Sequence, residues 1–465
     1  MEKDQKKKEA KNMFGKQQKA KAKVDLTNGP IVKGMVSFAV PIFFGQLLQQ
    51  FYNMADAWVV GNFADNNAFA AVSSTGSLIF LIIGFFNGIG IGGGVIISRY
   101  VGAGNKEMIQ KAIHTNFLFG IIASIASTIV GLLLVPHLLV WMKVPEEVLP
   151  SSRTYFTIYF AGVSTVIMYN IGMSILRALG DSLRPLYYLA ISSITNIILD
   201  LVFVIGFDMG VAGVGIATVI AQGLSAVLCI IQMCRNEDET IRLDFKKLKF
   251  HKKVMLEVIR QGLPTGVQNS VISIGNMVVQ TNINSFGPYA MSGYGAFAKL
   301  EGIAFLPIMS VSMTLPTFIS QNLGAGKKDR AKKGAFLGLI AGMVMAEIVG
   351  IAMFFGAKYV LRIFVDTPEA IAYGQMHMRV VCLFFCLLAF SNCAAGVLRG
   401  CGKAIVPMIT MLVFWCGVRI LYVTTALRFV NEFYMISWAY PLTWSLSGIV
   451  FVIFLLKTDW AKSFG

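Results

Sequence analysis

Twelve apolar stretches, each about as long as a bilayer is thick, constrain the fold of this chain more than any other feature. A transmembrane helix needs about 20 mostly apolar residues, and the stretches are separated by polar or Gly/Pro-marked breaks. A bilayer admits only helices and closed barrels as spanning elements, and runs of this length favour helices. The sequence therefore predicts an all-α integral membrane protein. Its helices are predicted at 35–60, 69–97, 112–135, 152–176, 185–206, 211–234, 256–284, 290–319, 334–355, 372–397, 405–427 and 433–456.

The composition agrees with a membrane protein and argues against a nucleic-acid partner. Of 465 residues, 56% are hydrophobic and only 14% are charged, which is unusual for a soluble domain. The formal charge is +16, but ten of the 40 Lys and Arg lie between Lys3 and Lys33, and eight more lie between Arg235 and Arg260. We interpret residues 1–30 as a basic, disordered cytoplasmic tail that contacts membrane lipids.

The distribution of positive charge predicts the orientation in the membrane. With the N-terminus inside, the cytoplasmic loops and tails collect 32 Lys and Arg, whereas the outer loops hold only five. Positive charge marks the cytoplasmic side. We therefore expect a multi-pass protein of the cell (plasma) membrane with both termini in the cytoplasm. Lys299, Arg379 and Arg419 fall at membrane depth and need another explanation.

An internal repeat divides the chain into two halves. SRYVGAG from Ser98 recurs as SQNLGAG from Ser320, and LRALGDSLRP from Leu176 recurs as LRGCGKAIVP from Leu398, both shifted by 222 residues. The Gly-Ala-Gly segments predict tight helix-to-helix turns, because a phosphate-binding loop would need a preceding strand and a GK[ST] ending.

Six helices return the chain to its starting side, so the two halves enter the membrane in the same sense. We predict an N-lobe at 31–234, a cytoplasmic linker at 235–255, a C-lobe at 256–457 and a cytoplasmic tail at 458–465. Two six-helix bundles in a parallel pseudo-two-fold repeat, with a cavity between them that can open to either side, are typical of a transporter.

These marks resemble the multidrug and toxic compound extrusion (MATE) family, and most closely its DNA-damage-inducible (DinF-like) subgroup. They are the paired GAG turns, the paired LRxxGxxxxP segments, Pro41 and the string QQFYNMADAWVVG at 49–61, and the resemblance covers residues 31–457. It implies a secondary active antiporter, expected to act as a monomer without another cofactor. Such a protein exports small organic compounds in exchange for H⁺ or Na⁺.

Two other functions stay open at this point. A flippase of a lipid-linked substrate belongs to the same larger superfamily, although flippases usually have fourteen helices. An integral membrane enzyme is less well supported, because the four histidines are expected at or beyond span ends and form no HExxH motif. The seven cysteines form no CxxC pair and are expected to be buried thiols.

Polar side chains inside the predicted spans are the candidates for ion coupling, because ionisable groups at membrane depth are costly. Asp56 lies on the first helix, Asn196 and Asp200 lie four residues apart on the fifth, and Thr218 lies on the sixth. By the resemblance, these four form the cation site. Their oxygens suit a hard monovalent cation, and a desolvated carboxyl group also binds a proton readily. The alternative is hydrogen bonding that only joins helices.

The substrate cavity is predicted in the N-lobe. Gln49, Tyr52 and Asn53 share a helical face with Asp56, and by the resemblance Tyr52, Tyr155 and Asn170 line this cavity. Met173 is a departure, since some relatives have a second Asn there. Carboxylates with Tyr and Met nearby suit amphipathic aromatic cations.

Two further features carry predictions. In the family the first helix can bend, and Pro41 is expected to permit this. In the C-lobe we expect Lys299, Glu301, Glu347, Arg379 and Arg419 to form structural ion pairs between helices. Glu301 is nevertheless a second acidic candidate. No metal other than Na⁺ is predicted.

Overall fold

The computed structural model describes residues 23–63, 66–141 and 144–462, and within these it describes the side chains of all but 66–81 and 83. Predictions on residues 1–22 and 463–465, including most of the basic tail, lie outside the described residues. The described part consists of helices joined by loops, and no strand occurs in it.

The described residues form twelve long helical segments, which follow one another in the predicted order and lie close to the predicted positions. Most extend a few residues beyond the predicted ends, because helices continue into the polar layers outside the apolar core of a membrane. They are α1 (Ile31–Phe63), α2 (Asn66–Gly102), α3 (Lys106–Trp141), α4 (Leu149–Ala178), α5 (Leu183–Gly206), α6 (Gly210–Cys234), α7 (Lys252–Asn284), α8 (Pro288–Ala304 and Leu306–Gly324), α9 (Lys328–Leu361), α10 (Pro368–Gly400), α11 (Ile405–Phe429) and α12 (Phe433–Lys457).

Ten of these helical segments are long and apolar enough to cross a membrane, when each of two bent helices is counted as one span. α4 bends by 45° and α8 by 46°. α7 is less apolar than these ten helices because it carries seven Asn and Gln residues. Several of their side chains contact other helices. α2 is not among the ten because this count covers only described residues, and α2 includes the undescribed side chains of 66–81 and 83.

Two irregular turns interrupt the α-helical pattern inside the spans. Residues Leu201–Gly206 of α5 and Leu412–Val418 of α11 are π-helical. A π turn adds one residue to a helical turn and is frequent at functional sites. The first begins directly after Asp200, and the second ends directly before Arg419.

Separate apolar cores lie on the two sides of the linker. One contains buried residues from Val59 to Val258, and the other contains residues from Val279 to Phe451. The linker is part of the first core, since Ile241 and Leu243 are buried in it. The lobe boundaries themselves stay a prediction.

Glycines bring the two halves into backbone contact where α2 crosses α7. A Cβ atom at Gly88 would lie 2.4 Å from the nitrogen of Gly266, and one at Gly92 would lie 2.2 Å from the nitrogen of Gly262. Each helix therefore contributes a Gly-x-x-x-Gly pair. Small residues at this spacing allow close helix approach where no apolar driving force exists in lipid.

The repeated turns meet each other at one end of the bundle, which we call the tail end. A Cβ atom at Gly102 would lie 1.9 Å from the carbonyl oxygen of Gln321, and one at Gly324 would lie 2.1 Å from that of Arg99. Both pairs are related by the 222-residue shift. The predicted tight turns are present, with positive φ at Gly104 and Gly326, and the turns also close the space between the lobes.

A short segment at 24–29, which we call the strap, ties both lobes together at the tail end. Its Val24 nitrogen donates to the Gly180 carbonyl at 2.9 Å. On the other side, Asn322 Nδ2 donates to the Leu26 carbonyl at 3.1 Å, and Arg330 donates to the carbonyls of Leu26, Asn28 and Gly29. Leu26 is fully buried.

Candidate functional site

Asp56 and Asp200 face each other inside the N-lobe. Asp56 lies in the last third of α1, and Asp200 lies at the junction of the α-helical and π-helical parts of α5. Their carboxyl groups are close enough to interact, and the Tyr52 hydroxyl lies near both Asp56 and Thr218. Asn196 and Asp200 are fully buried. The structure therefore brings together all four residues predicted for cation binding.

Oxygen atoms without hydrogen-bond partners concentrate at this place. Among the described residues, the buried side-chain atoms that lack a partner include Asp56 Oδ1, both carboxylate oxygens of Asp200, Asn196 Oδ1 and Thr218 Oγ1. Buried polar atoms are normally satisfied. Five acceptor oxygens, drawn from two carboxylates, an amide and a hydroxyl, fit the coordination of Na⁺, and the carboxylates fit the binding of a proton equally well.

Small residues on α6 allow the neighbouring helices to approach this cluster closely. A Cβ atom at Gly213 would lie 2.9 Å from that of Phe203 on α5, and one at Gly215 would lie 3.0 Å from Ile158 and 3.5 Å from Tyr155 on α4. The Gly-rich start of α6 therefore positions Thr218 beside the acidic pair. This part of the site was not evident from the sequence.

The predicted substrate residues do not form one cavity. Tyr155 is buried and interacts with both carboxylates, so it belongs with Tyr52 at the acidic pair. Gln49 Nε2 donates to Asn53 Oδ1 at 3.3 Å, and Asn53 is exposed. Asn53 is therefore turned partly away from Asp56, because positions three residues apart on a helix differ by about 60° in direction, and Gln49 is hydrogen-bonded to Asn53.

Asn170 and Met173 line a second place, a cavity between the two lobes. Its volume is about 150 Å³, and it is bounded by α2, α4, α7, α8 and α10. Asn170 Nδ2 donates to the Val166 carbonyl at 2.8 Å. The acidic pair does not line this cavity, so ion binding and the inter-lobe cavity involve different surfaces of the N-lobe.

Pro41 lies inside α1, which continues through it as one helix. A proline at this point removes one helical hydrogen bond. The predicted bend at Pro41 stays a prediction. Asp56 lies on the same helix, fifteen residues further along.

The charged residues of the C-lobe do not form the ion pairs expected from the sequence. Within the described chain, no carboxylate lies within 4.0 Å of Lys299 or Arg419. Arg419 instead donates to Thr443 Oγ1 at 3.0 Å and to Asn276 Oδ1 at 3.3 Å, and its guanidinium lies 4.5 Å from the centre of the Tyr440 ring. Arg419 is thus stabilised by neutral hydrogen-bond acceptors and an aromatic ring instead of a carboxylate, and such partners cannot be identified by counting charges in the sequence. Glu301 interacts with Arg419 only at longer range.

His377 lies inside the C-lobe and not at a span end, which corrects the expectation from the sequence. It is fully buried on α10, and its Nδ1 shares a 2.8 Å hydrogen bond with Ser437 Oγ. The helix begins earlier than the apolar stretch indicates, so His377 is more than two turns inside it. Four of the seven cysteines are buried, as expected, and three are partly buried.

These features together define a two-lobed membrane transporter. They are the two six-helix halves, the closed tail end, the inter-lobe cavity and the acidic pair within one lobe. A model of the MatE family matches residues 41–202 and 264–424, one segment in each half. Together these segments cover more than half of the chain, and the chain therefore belongs to the multidrug and toxic compound extrusion family. Its members are transporters, so the chain is a multi-pass efflux transporter and not an enzyme.

Relatives support this assignment along most of the sequence. The chain is 27% identical over 392 residues to the probable multidrug resistance protein YpnP of Bacillus subtilis, covering 84% of this chain and 87% of that protein. It is 25% identical over 364 residues to the FAD transporter of Shewanella oneidensis, covering 77% and 79%.

A solved structure confirms the fold. An outward-facing multidrug resistance MATE family transporter of the MOP superfamily superposes with a TM-score of 0.87 at 19% identity, covering 94% of this chain and 98% of that one. The predicted architecture of twelve transmembrane helices in two six-helix bundles is thereby confirmed.

Proposed function

We propose that this protein is a secondary antiporter that exports organic compounds in exchange for H⁺ or Na⁺, and that the ion binds between Asp56 and Asp200. The closeness of the partly buried Asp56 carboxyl group to the buried Asp200 carboxyl group carries the proposal. Two like charges this close in a low-dielectric interior do not both ionise without a cation. One proton or one Na⁺ neutralises the pair, and Asn196, Thr218 and Tyr52 complete the polar shell.

Ion binding changes the shape of the lobe through α1. An occupied site draws Asp56 toward α5, and an empty site separates the two carboxylates by repulsion. Because α1 is weakened at Pro41, this difference is transmitted along the helix toward the cavity. The ion and the substrate then favour different arrangements of the same lobe, which is the condition for exchange.

The tail end is the cytoplasmic side in this proposal. The support is the excess of Lys and Arg in the loops and tails at that end. The lobes are in contact there, so the cavity is closed toward the cytoplasm. The protein works as a monomer in the cell membrane, takes small organic substrates and uses no cofactor other than the coupled ion.

The charge of the substrate is a separate question from the charge of the ion site. The sequence predicts amphipathic cations because of the two Asp residues, but those residues lie away from the inter-lobe cavity. Relatives are named for multidrug resistance and for FAD transport, and these names do not define one substrate charge. Both cationic and anionic compounds must therefore be tested.

Transport in proteoliposomes tests the proposal. Ethidium, a cation, and carboxyfluorescein, an anion, are loaded separately, and their release is followed under an imposed H⁺ gradient and under a Na⁺ gradient. We expect one gradient to drive release of at least one dye, and Asp200→Asn to abolish the gradient dependence. Asp366→Asn, at an exposed loop position, is the matched control and should behave as the wild type. Full gradient-driven release by Asp200→Asn would overturn the site assignment.

A further inference from the structure

Both halves of the repeat contribute the same side chains to the cavity between the lobes. Arg177 and Asn170 come from α4, and Arg399 and Asn392 come from α10. Each pair is related by the 222-residue shift of the duplication. The cavity therefore lies on the pseudo-two-fold axis, and Arg177 and Arg399 are the arginines of the paired LRxxG segments.

The charge of this cavity is not balanced. Its lining contains two arginines and no acidic residue. In the part of the chain that the structure describes, no carboxylate lies within 4.0 Å of either guanidinium, and neither side chain makes a hydrogen bond. The Nε atoms of both are buried without a partner.

An uncompensated guanidinium inside a membrane protein is costly. Part of the cost is offset because each arginine lies in the last turn of its helix, where the helix dipole favours positive charge. The dipole does not supply hydrogen-bond acceptors, however. Each guanidinium carries five N–H donors, and those that reach the cavity need acceptors from another source.

Several other polar groups of the lining already have hydrogen-bond partners. The amide nitrogens of Asn170 and Asn392 donate to backbone carbonyls of their own helices, at 2.8 and 2.9 Å. Asn269 Nδ2 donates to the Gly84 carbonyl at 3.0 Å. The guanidinium groups are thus the charged donors of the lining, beside the neutral side chains of Asn87 and Thr317. Met173, Met309 and Met313 supply apolar, adaptable walls.

We propose that Arg177 and Arg399 bind an oxyanion, a phosphate or carboxylate group, of the exported organic compound. The inference rests on the proposed export function and gives it a substrate class opposite in charge to the one expected from the sequence. Arginine suits this role because its planar donors match the geometry of phosphate and carboxylate oxygens. The methionine walls hold the apolar part of the same molecule.

The same chemistry is present on an anionic lipid headgroup, so the experiment separates the two sources. The full chain is placed in phosphatidylcholine nanodiscs, and carboxyfluorescein binding is measured by fluorescence anisotropy. Charge-assisted hydrogen bonds contribute about 1.5–3 kcal/mol, so we expect Arg177→Gln and Arg399→Gln each to weaken binding by roughly tenfold or more. Arg177→Lys should retain part of the affinity. Arg260→Gln, an exposed arginine of α7, is the control.

Two additions identify the source of the oxyanion. Inorganic phosphate should compete with the dye in the wild type. If phosphatidylglycerol in the nanodiscs abolishes dye binding at the same site, a lipid headgroup is the occupant and the proposed soluble substrate is overturned. Equal binding by wild type and both Gln variants, with correctly folded protein by size-exclusion chromatography, would also overturn the proposal.

Failure of the anion site and failure of the proposed function give different experimental results. Gradient-driven release of ethidium with no binding or release of carboxyfluorescein would support the antiporter and overturn the anion site. Failure of both dyes under both gradients would instead overturn the antiporter.

Discussion

At the scale of single residues, the proposed ion site rests on Asp56 and Asp200, whose closeness is costly to stability unless a cation neutralises the pair. Asp56 Oδ1 and both carboxylate oxygens of Asp200 are buried without hydrogen-bond partners, and the two carboxyl groups lie close to each other. Natural proteins retain such pairs where function requires them. The pair therefore links ion binding to the stability of the N-lobe.

We expect Asp200→Asn to raise the melting temperature of the purified protein in the absence of a coupling ion, because the variant removes the repulsion. The wild type should in turn be stabilised by the ion it uses, through binding to the folded state. Differential scanning fluorimetry with added NaCl or choline chloride, at several pH values, measures both effects. An identical response of wild type and variant would contradict the assignment.

The sequence identifies these four site residues better than it identifies their surroundings. Asp56, Asn196, Asp200 and Thr218 are conspicuous because each is polar within an apolar run. The separation of Asn170 and Met173 into another cavity could not be predicted, because it depends on which face of α4 turns toward the other lobe. The role of Arg177 in the cavity could not be predicted either. The predicted helix ends at residue 176, so Arg177 was counted with the cytoplasmic loop residues.

At the scale of helices, the crossing of α2 and α7 sets how closely the lobes approach. Gly92→Ala would place a Cβ atom 2.2 Å from the backbone of Gly262. Overpacking against backbone costs about 1–3 kcal/mol, so we expect a lower melting temperature and reduced transport. Gly295→Ala is the matched control, because nothing lies within 4 Å of a Cβ atom there. It should leave stability unchanged or raise it slightly, and equal loss in both variants would contradict this explanation.

The hydrogen bonds of Asp25 in the strap lead to a prediction about how the stability of this segment depends on pH, and the segment lies outside the membrane-spanning helices. Partial burial raises the pKa of Asp25, but hydrogen bonds from Asn28 and Thr27 outweigh it and lower the pKa to about 2. A lowered folded-state pKa means that stabilisation is full above the usual pKa of the carboxyl group and is lost only as pH falls toward about 2.

Hydrogen-exchange protection of the Thr27 and Asn28 amides should therefore be the same at pH 8 and pH 5. Asp25→Ala should remove this protection at both values. Loss of protection in the wild type at pH 5 would show that another group holds the turn.

Helix positions were predictable because bilayer thickness fixes the length of each apolar run. The bend of α8 at Phe305 and the π turns after Asp200 and before Arg419 were not predictable. Helix propensity does not distinguish an α turn from a π turn, and the choice depends on contacts with neighbouring helices.

At the scale of the whole molecule, the duplication has two different consequences. The scaffold is symmetric, since the glycine contacts at the tail end and the two cavity arginines are related by the same shift. The proposed ion site is asymmetric, because Val418, Tyr422 and Tyr440 occupy the C-lobe positions that correspond to Asn196, Asp200 and Thr218. Symmetric surfaces between the lobes and a single ion site within one lobe suit a transporter in which one lobe is switched and both lobes hold the substrate.

The central claim is that one cation binds between Asp56 and Asp200 and drives export, and charge movement tests it most directly. On solid-supported membranes, a step in Na⁺ or H⁺ concentration should give a transient current with the wild type and with Asp366→Asn. The current should be lost with Asp56→Asn and Asp200→Asn. Equal displaced charge in all four proteins would contradict the claim.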